Sequence, residues 1–269
     1  MKESSWKDTF IPLQEGKSLD DFRGRSTNLV VISPHPDDDV LGAGGVMIAA
    51  AEEGRGVFSV TVTDGRGSPR RDPAISDEEM AALRQKESVA ALRAAGAAGG
   101  FFLRKRSSEL EGEGGKEVGK DLQEILEWLR PMEVFLPAPY ERHKTHILCT
   151  RLTIEALRSS AAPRPSLLGY SLWGNFWGEK RRVVRDITPF IRKKVGAVLA
   201  HSTQIAYKNY QQGILGKNNA EAVFWEAHEA QKADFVEIFL EMTGLLEAKD
   251  LSLSDFIRQD VEGFIRAFL

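Results

Sequence analysis

Short apolar runs alternate with longer helix-forming runs along most of this chain of 269 residues. Uninterrupted β-branched and aromatic runs are typical of strands buried on both faces of a sheet. Strands that alternate with helices favour a mostly parallel sheet with helices packed on its faces. The predicted strands cover 28–33, 57–63, 100–103, 134–136, 167–173 and 183–187, and the predicted helices cover 42–53, 77–95, 122–129, 146–159 and 189–209.

The last part of the sequence predicts helices over 221–246 and 254–268, the second with an apolar stripe. We therefore expect one α/β domain over 1–269, Rossmann-like, with a mostly parallel sheet flanked by helices and a helical C-terminal extension about 219–269. The charged, glycine-rich segment 104–120 predicts a mobile loop. A lid over a site is the alternative for this loop, although composition favours plain solvation.

Charge and cysteine content exclude several classes of protein. Lys and Arg number 36 against 39 Asp and Glu, for a net charge of −3, so no basic surface for nucleic acid is expected. The single cysteine, Cys149, and an N-terminus without an apolar core favour a cytoplasmic location. No run reaches the roughly 18 apolar residues of a membrane span. A homo-oligomer stays open.

An acidic turn follows the first predicted strand, at the strand end where open α/β sheets bind ligands. It reads Pro-His-Pro-Asp-Asp-Asp and holds His35, Asp37, Asp38 and Asp39. Three adjacent carboxylates repel one another, and a bound cation relieves this repulsion. Capping of the next helix is the alternative, but one aspartate suffices for a cap. The turn therefore predicts a site for a divalent metal.

A second polar cluster, with Glu141, His143 and His146, follows another predicted strand and opens a helix. If the two loops lie side by side, His35, Asp38 and one of these histidines supply three ligands. Three protein ligands leave one position open for water, as in catalytic zinc sites, whereas a closed structural site is disfavoured by the single cysteine.

These residues resemble the PIG-L/LmbE family of zinc-dependent N-deacetylases, whose pattern is a His-Pro-Asp-Asp-Glu turn and a downstream Asp-x-His-x-x-His segment. The similarity runs from about 28 to about 204. Arg84 and Glu87 match a family Arg-x-x-Glu. Thr-Asp-Gly at 63–65 and His201-Ser-Thr-Gln204 are weaker matches.

The resemblance implies a role for each matching residue. The metal ligands fall on His35, Asp38 and His146, and the general base falls on Asp37. His143 takes the electrostatic role, in which it stabilises an oxyanion or passes a proton to the departing amine. The implied cofactor is Zn²⁺, with Fe²⁺ or another divalent ion as the alternative.

The sequence departs from the family pattern at three positions. Asp39 replaces glutamate, Glu141 replaces aspartate, and Thr145 stands where an aspartate often lies between the two histidines. None of the three is an implied metal ligand, so metal binding is expected while the catalytic optimum can move. Glu141 is expected to support a ligand as a hydrogen-bond acceptor.

Other residues are candidates for supporting the site or facing the substrate. His201 and Gln204 are placed there by the resemblance. Arg66, followed by two further arginines, comes after a strand end and can meet an anionic group such as phosphate, although solvated charge is the favoured interpretation. Trp173, Phe176 and Trp177 suggest a sugar-stacking wall, with core packing or a subunit contact as the alternatives.

The expected function is removal of acetyl from an N-acetylated amino sugar, and the resemblance suggests N-acetylglucosamine within a glycoconjugate. An amidase of a larger acyl or thiol-conjugate amide at the same metal is the first alternative. A metal-binding scaffold without turnover is the second.

Overall fold

A single eight-stranded sheet organises the computed structural model, which describes residues 6–139, 141–174, 181–224 and 232–247. The strands are β1 (Phe10–Pro12), β2 (Leu29–Ser33), β3 (Val57–Thr63), β4 (Gly99–Lys105), β5 (Glu133–Pro137), β6 (Ser166–Tyr170), β7 (Arg182–Asp186) and β8 (Val236–Glu241). Phe176, Trp177 and the apolar stripe predicted over 254–268 lie outside the described residues.

The sheet has the order β1-β4-β3-β2-β5-β6-β8-β7. Its centre, from β4 to β6, is parallel, while β1, β8 and β7 pair antiparallel at the two edges. Every residue of β2 and β3 is buried, as expected of central strands covered on both faces. The prediction of a mostly parallel sheet flanked by helices is confirmed.

Helices cover both faces of the sheet. They are α1 (Asp38–Glu52), α2 (Asp77–Ala94), α3 (Glu113–Leu129), α4 (Lys144–Ser159), α5 (Ile191–Leu199), α6 (Ser202–Tyr207) and α7 (Tyr210–Phe224). Alternate residues of β2 serve the two faces: Val30 and Ile32 pack with α3 and α4, and Leu29 and Val31 pack with α1. No helix among the described residues is long and apolar enough to cross a membrane.

The structure corrects the prediction for the end of the chain. The helix predicted over 221–246 is wrong, because α7 ends at Phe224 and Val236–Glu241 form β8. The helical extension predicted from about 219 therefore contains a strand of the sheet. The sequence pattern does not indicate a strand here, because Glu237 places a carboxylate at a position of the strand that is only 1% exposed. Residues 248–269 lie outside the described part.

The loop predicted over 104–120 is much shorter in the structure. Arg104 and Lys105 belong to β4, and α3 begins at Glu113, so only 106–112 connects the two. Gly115 explains why a glycine-rich segment is helical here. A Cβ atom at this position would lie 2.2 Å from the carbonyl oxygen of Leu110. Close packing at the start of α3 therefore requires glycine at position 115, and a need for a flexible backbone is not the reason.

A buried carboxylate organises the helix that carries the acidic turn. Helix α1 departs from helical geometry at Ala43 (φ −137°, ψ 15°). Beyond this kink, the N–H groups of Gly45 and Val46 donate to the Glu237 carboxylate at 2.7 and 2.9 Å. Lys194 of α5 donates to the same carboxylate at 2.7 Å. The network therefore joins β8, α1 and α5 inside the protein.

Lys194 also donates to the Asn218 side chain of α7 at 2.9 Å. Burial lowers the pKa of Lys194, and the Glu237 charge opposes that shift. A buried ion pair of this kind is costly to break, since removal of one partner leaves the other charge without compensation.

We expect Lys194→Met to destabilise the fold by about 3–5 kcal/mol, because it strands the Glu237 charge. The matched control is Lys193→Met, which removes only the exposed ion pair with Glu52 and is expected to cost under about 1 kcal/mol. Urea unfolding of both variants measures the difference. Equal destabilisation by the two substitutions would refute the role given to this network.

Candidate active site

The two polar clusters meet because β2 and β5 are neighbouring parallel strands. The turn with His35 and Asp37 follows β2, and the loop with Glu141 and His143 follows β5. Both therefore emerge at the carboxyl edge of the sheet, which is where open α/β folds bind ligands.

Three donor atoms from these clusters converge on one point. Asp38 Oδ2 lies 3.0 Å from His35 Nδ1 and 3.1 Å from His146 Nε2, and the two nitrogens are 3.3 Å apart. Bonds of roughly 2.0–2.1 Å at tetrahedral angles place zinc ligands about 3.3 Å from one another. The spacing of these atoms therefore fits a shared metal ion.

The charges in this cluster also fit a cation. Burial favours the neutral forms of Asp38 and His146, but their mutual attraction outweighs it. The pKa of Asp38 falls well below its ordinary value, through His146 and His35, and the pKa of His146 rises to about 10, through Asp38 and Glu141. A site that retains a proton this firmly has a strongly negative potential, which a divalent ion satisfies equally well.

His143 lies beside the three donors as the N-terminal cap residue of α4. Its ring centroid is 4.7 Å from that of His35 and 5.1 Å from that of His146, and the ligand atoms of the three histidines lie within 4.8 Å of one another. His143 thus offers an alternative third ligand, at looser spacing than Asp38. Burial, with the charges of His35 and His146, lowers the pKa of His143, so its imidazole is neutral at pH 7.

Glu141 supports His146 from behind. Its carboxylate lies 3.3 Å from His146 Nδ1 and accepts the N–H groups of Leu172 and Trp173. An acceptor on the second ring nitrogen fixes the tautomer that presents Nε2 to a metal. Glutamate reaches this position although the family pattern has aspartate there.

Asp39 points away from the donor cluster. It accepts the hydroxyl of Ser59 at 2.6 Å and the N–H of Val40 at 2.8 Å, and it is fully buried. Burial raises the pKa of Asp39 to about 6, and the charges of Asp37 and Asp38 act in the same direction. Asp39 therefore supports the acidic turn through these hydrogen bonds.

Asp37 faces the cavity and is held by an arginine. Arg84 Nη2 lies 2.9 Å from Asp37 Oδ1, and Arg84 also donates to the hydroxyl of Ser68. Arg84 is 2% exposed, so the ion pair fixes the Asp37 carboxylate from inside the protein.

Glu87 and His201 lie behind the residues that line the cavity. The Glu87 carboxylate accepts the Ser202 hydroxyl at 2.6 Å and the N–H of Thr203 at 2.8 Å, so it caps α6. The cap anchors the segment that brings Gln204 to the cavity. His201 is 2% exposed, neither ring nitrogen has a hydrogen-bond partner among the described residues, and burial lowers its pKa.

An open cavity of about 890 Å³ adjoins these groups. Of the residues singled out by sequence, seven line it: His35, Asp37, Asp38, Arg66, Arg84, His143 and Gln204. The other five, which are Asp39, Glu87, Glu141, His146 and His201, lie behind the lining. Trp173, from the suggested sugar-stacking wall, lines the cavity and is 46% exposed.

The sequence interpretation missed several lining residues, among them Ser68, Arg106, Ser107, Ser108 and Tyr210. The three from 106–108 follow the end of β4, and strand ends at this edge are a signal that can be read from the alternation of elements. Tyr210 begins α7, far along the chain, and no local pattern predicts its arrival at the cavity.

The family model described as PIG-L, GlcNAc-PI de-N-acetylase, matches residues 30–157, which hold both polar clusters. The resemblance to the PIG-L family that the sequence motifs indicate is thus confirmed over this segment. The matched residues run from β2 through most of α4, so they include every donor atom of the cluster.

Two known proteins are similar to this chain over much of its length. Diacetylchitobiose deacetylase of Thermococcus kodakarensis is 28% identical over 65% of this chain and 69% of its own. The Bacillus anthracis protein named Probable N-acetyl-alpha-D-glucosaminyl L-malate deacetylase 2 is 26% identical over 75% of this chain and 92% of its own.

Solved structures show the same fold. N,N'-diacetylchitobiose deacetylase from Pyrococcus horikoshii, in complex with an inhibitor, superposes with a TM-score of 0.69 at 27% identity, over 88% of this chain and 92% of its own. The chain is thus similar to deacetylases in both sequence and fold.

The raised pKa of Asp39 gives a prediction about stability and pH. The pKa of Asp39 in the folded protein is about 6, above the ordinary 3.8. Asp39 therefore contributes its full share to the free energy of unfolding below pH 3.8, where it is protonated, and this share is lost as pH rises through about 6. Asp39→Asn keeps the shape without the charge. We therefore expect the wild type to lose more stability than the variant between about pH 4 and 7, by on the order of 3 kcal/mol.

Urea unfolding of both proteins at a series of pH values, with a chelator present, measures this difference. Asp20→Asn, at an exposed aspartate, is the control, and its curve should run parallel to that of the wild type. Parallel curves for Asp39→Asn as well would contradict the raised pKa.

Proposed function

We propose that this protein is a metal-dependent hydrolase that removes acetyl from an N-acetylated amino sugar, N-acetylglucosamine in a glycoconjugate. The observation that carries the proposal is the convergence of His35 Nδ1, Asp38 Oδ2 and His146 Nε2 within 3.3 Å of one another at the cavity that Asp37 lines. The substrate class is supported by the names of its relatives, which act on diacetylchitobiose and on a glucosaminyl malate.

His35, Asp38 and His146 are the proposed ligands of the metal, for which we propose Zn²⁺, with Fe²⁺ as the alternative. Two imidazoles and one carboxylate suit either ion, and three protein ligands leave a position for water or substrate. When bound, the ion supplies a Lewis acid that polarises the amide carbonyl and lowers the pKa of water.

Asp37 acts as the general base in this proposal. Its carboxylate faces the cavity next to the donor cluster and accepts the proton of the attacking water. Arg84 keeps the carboxylate oriented through their 2.9 Å contact. Because Arg84 is already held in place by burial, no side-chain entropy is lost in forming this contact during the reaction.

His143 acts on the other side of the amide. As a neutral imidazole, it donates a hydrogen bond to the oxygen on which charge develops. Alternatively, it takes up a proton from solvent and, as an imidazolium, delivers that proton to the departing amine. The Glu141 carboxylate lies 3.3 Å from His146 Nδ1, and this contact leaves Nε2 directed at the proposed metal position.

Asp37→Asn is expected to lower acetate release from N-acetylglucosaminides by about 10²–10⁴-fold, since general-base catalysis contributes that much. Metal content should remain that of the wild type, because Asp37 is not a proposed ligand. Acetate release and bound metal are measured on the same preparations. A wild type no faster than this variant across a panel of amino sugars would favour a scaffold, and turnover confined to bulkier amides would favour an amidase.

His146→Ala is expected to lose bound metal, because it deletes one of three ligands in a fully buried position. His201→Ala is the matched control, since it removes a buried histidine that is not a proposed ligand. Elemental analysis after dialysis checks both variants. Equal metal content in His146→Ala and the wild type would refute the ligand set, and chelation of the wild type should abolish acetate release reversibly.

A further inference from the structure

A second cavity lies at the opposite edge of the sheet from the candidate active site. Its lining comes from 6–7, from 23–24 ahead of β2, and from the end of α3 ahead of β5. Strands β2 and β5 carry the polar clusters at their other ends, and each has five residues, so about 15 Å of strand separates the two cavities. The volume of about 630 Å³ lies within the roughly 300–1,000 Å³ of small-ligand sites.

The Trp128 ring in this lining holds two cations in place. Lys7 Nζ lies 3.9 Å from the ring centroid, and Arg23 Cζ lies 4.2 Å from it. Trp128 in turn meets the buried Trp6 in a T-shaped contact, with the centroids 5.7 Å apart. A guanidinium that stacks on an aromatic ring uses its face, so the N–H donors at its edge stay available to a ligand.

Arg130 adds a third cation to the lining, in a backbone conformation that glycine normally takes. It ends α3 in the left-handed region, with φ 47° and ψ 57°, where a Cβ atom is unfavourable. The helix end uses only its backbone, since the Arg130 N–H donates to the Leu126 carbonyl at 2.9 Å. The stem of Arg130 lies beside Gly24, where an added Cβ atom would be 3.8 Å from Arg130 Cδ. Arg130 therefore stands close to the segment that carries Arg23.

The two carboxylates of this lining have partners of their own. Glu127 accepts the Gln123 amide at 3.0 Å and the Ala161 N–H at 3.3 Å. Glu124 Oε1 lies 4.0 Å from Lys120 Nζ.

The three cations are not paired in this way. Within the described part of the chain, neither Lys7, Arg23 nor Arg130 has a carboxylate oxygen within 4.0 Å. Arg130 acts on Glu127 only at longer range, where it adds to the larger effect of the Gln123 hydrogen bond in lowering the pKa of Glu127. The cavity thus presents an excess of positive charge, and two guanidinium groups with an ammonium match the oxygens of a phosphate group.

We propose that this cavity, the amino-edge site lined by Lys7, Arg23, Trp128 and Arg130, binds the phosphate group of a phosphorylated small molecule. The ligand is not the substrate of the candidate active site, because the length of β2 lies between the two cavities. The inference does not depend on the proposed function.

Occupancy of the amino-edge site joins two segments that lead into the strands of the active site. The Asn28 side chain already links these segments, since it donates to the carbonyl groups of Phe22 and Leu129 at 2.8 Å each. A phosphate held by Arg23 and Arg130 adds a second link, and a ligand that binds only the folded state stabilises it.

Calorimetry of the metal-loaded protein with phenyl phosphate and with inorganic phosphate, at constant ionic strength, tests the site. We expect both to bind and the uncharged benzamide not to bind. Arg23→Gln should weaken the binding of phenyl phosphate by about tenfold, as the loss of one charge-assisted hydrogen bond implies. The control is Arg93→Gln, an exposed arginine of α2 outside this lining, which should bind like the wild type. Equal weakening by both substitutions, or none by Arg23→Gln, overturns the inference.

Arg130→Gly separates a ligand-binding role from a structural one. Glycine adopts the left-handed conformation without cost, so we expect the urea midpoint of the ligand-free variant to equal or exceed that of the wild type. The same variant should bind phenyl phosphate about tenfold more weakly, because it lacks the guanidinium. A lower midpoint with unchanged binding would make Arg130 a structural residue and overturn the proposed site.

His146→Ala tells the amino-edge site from phosphate bound at the candidate metal position. Phenyl phosphate should raise the Tm of the wild type and of His146→Ala, and it should leave the Tm of Arg23→Gln nearly unchanged. A Tm increase that His146→Ala abolishes and Arg23→Gln retains places the anion at the metal and overturns the inference.

Discussion

Strands β2 and β5 run parallel with Val31 opposite Phe135, and this register decides where the polar turns that follow them emerge. A shift by one residue would turn the buried side chains of β2 to the opposite face, so the apolar core enforces the register. The convergence of Asp38 and His146 is therefore a product of hydrophobic packing on both sides of the sheet. The candidate metal donors are thus brought together by apolar residues that take no direct part in the proposed reaction.

The same packing explains how a buried ion pair is tolerated in the second half of the sheet. Glu237 accepts two N–H groups just beyond the kink of α1, and Lys194 balances its charge. The Glu237 charge is therefore compensated by an ion pair and by backbone hydrogen bonds, and it is not isolated in the core. Because α1 begins with Asp38, the anchoring of its middle also limits movement of the donor at its start.

The sequence predicts the central strands well, and the reason is local. Strands β2 and β3 are unbroken apolar runs, and the start of α2 is marked by a capping box between Ser76 and Glu79. The sequence predicts a helix where β8 lies because a carboxylate at position 237 is not expected inside a buried strand. Its charge is balanced by Lys194, which lies 43 positions away in the sequence and is not part of any local pattern. Arg106 and Tyr210 reach the cavity only through tertiary structure, which no short pattern encodes.

Glu141 connects two parts of the site that have different tasks. One carboxylate oxygen lies against His146, and the same carboxylate accepts the backbone N–H groups of Leu172 and Trp173 on the cavity wall. A displacement of the Glu141 carboxylate would change both its 3.3 Å contact with His146 and its hydrogen bonds to the two backbone N–H groups. Such linkage is reciprocal by thermodynamic necessity. We therefore expect a change in charge at His146 to alter the hydrogen bonds that Glu141 accepts from Leu172 and Trp173.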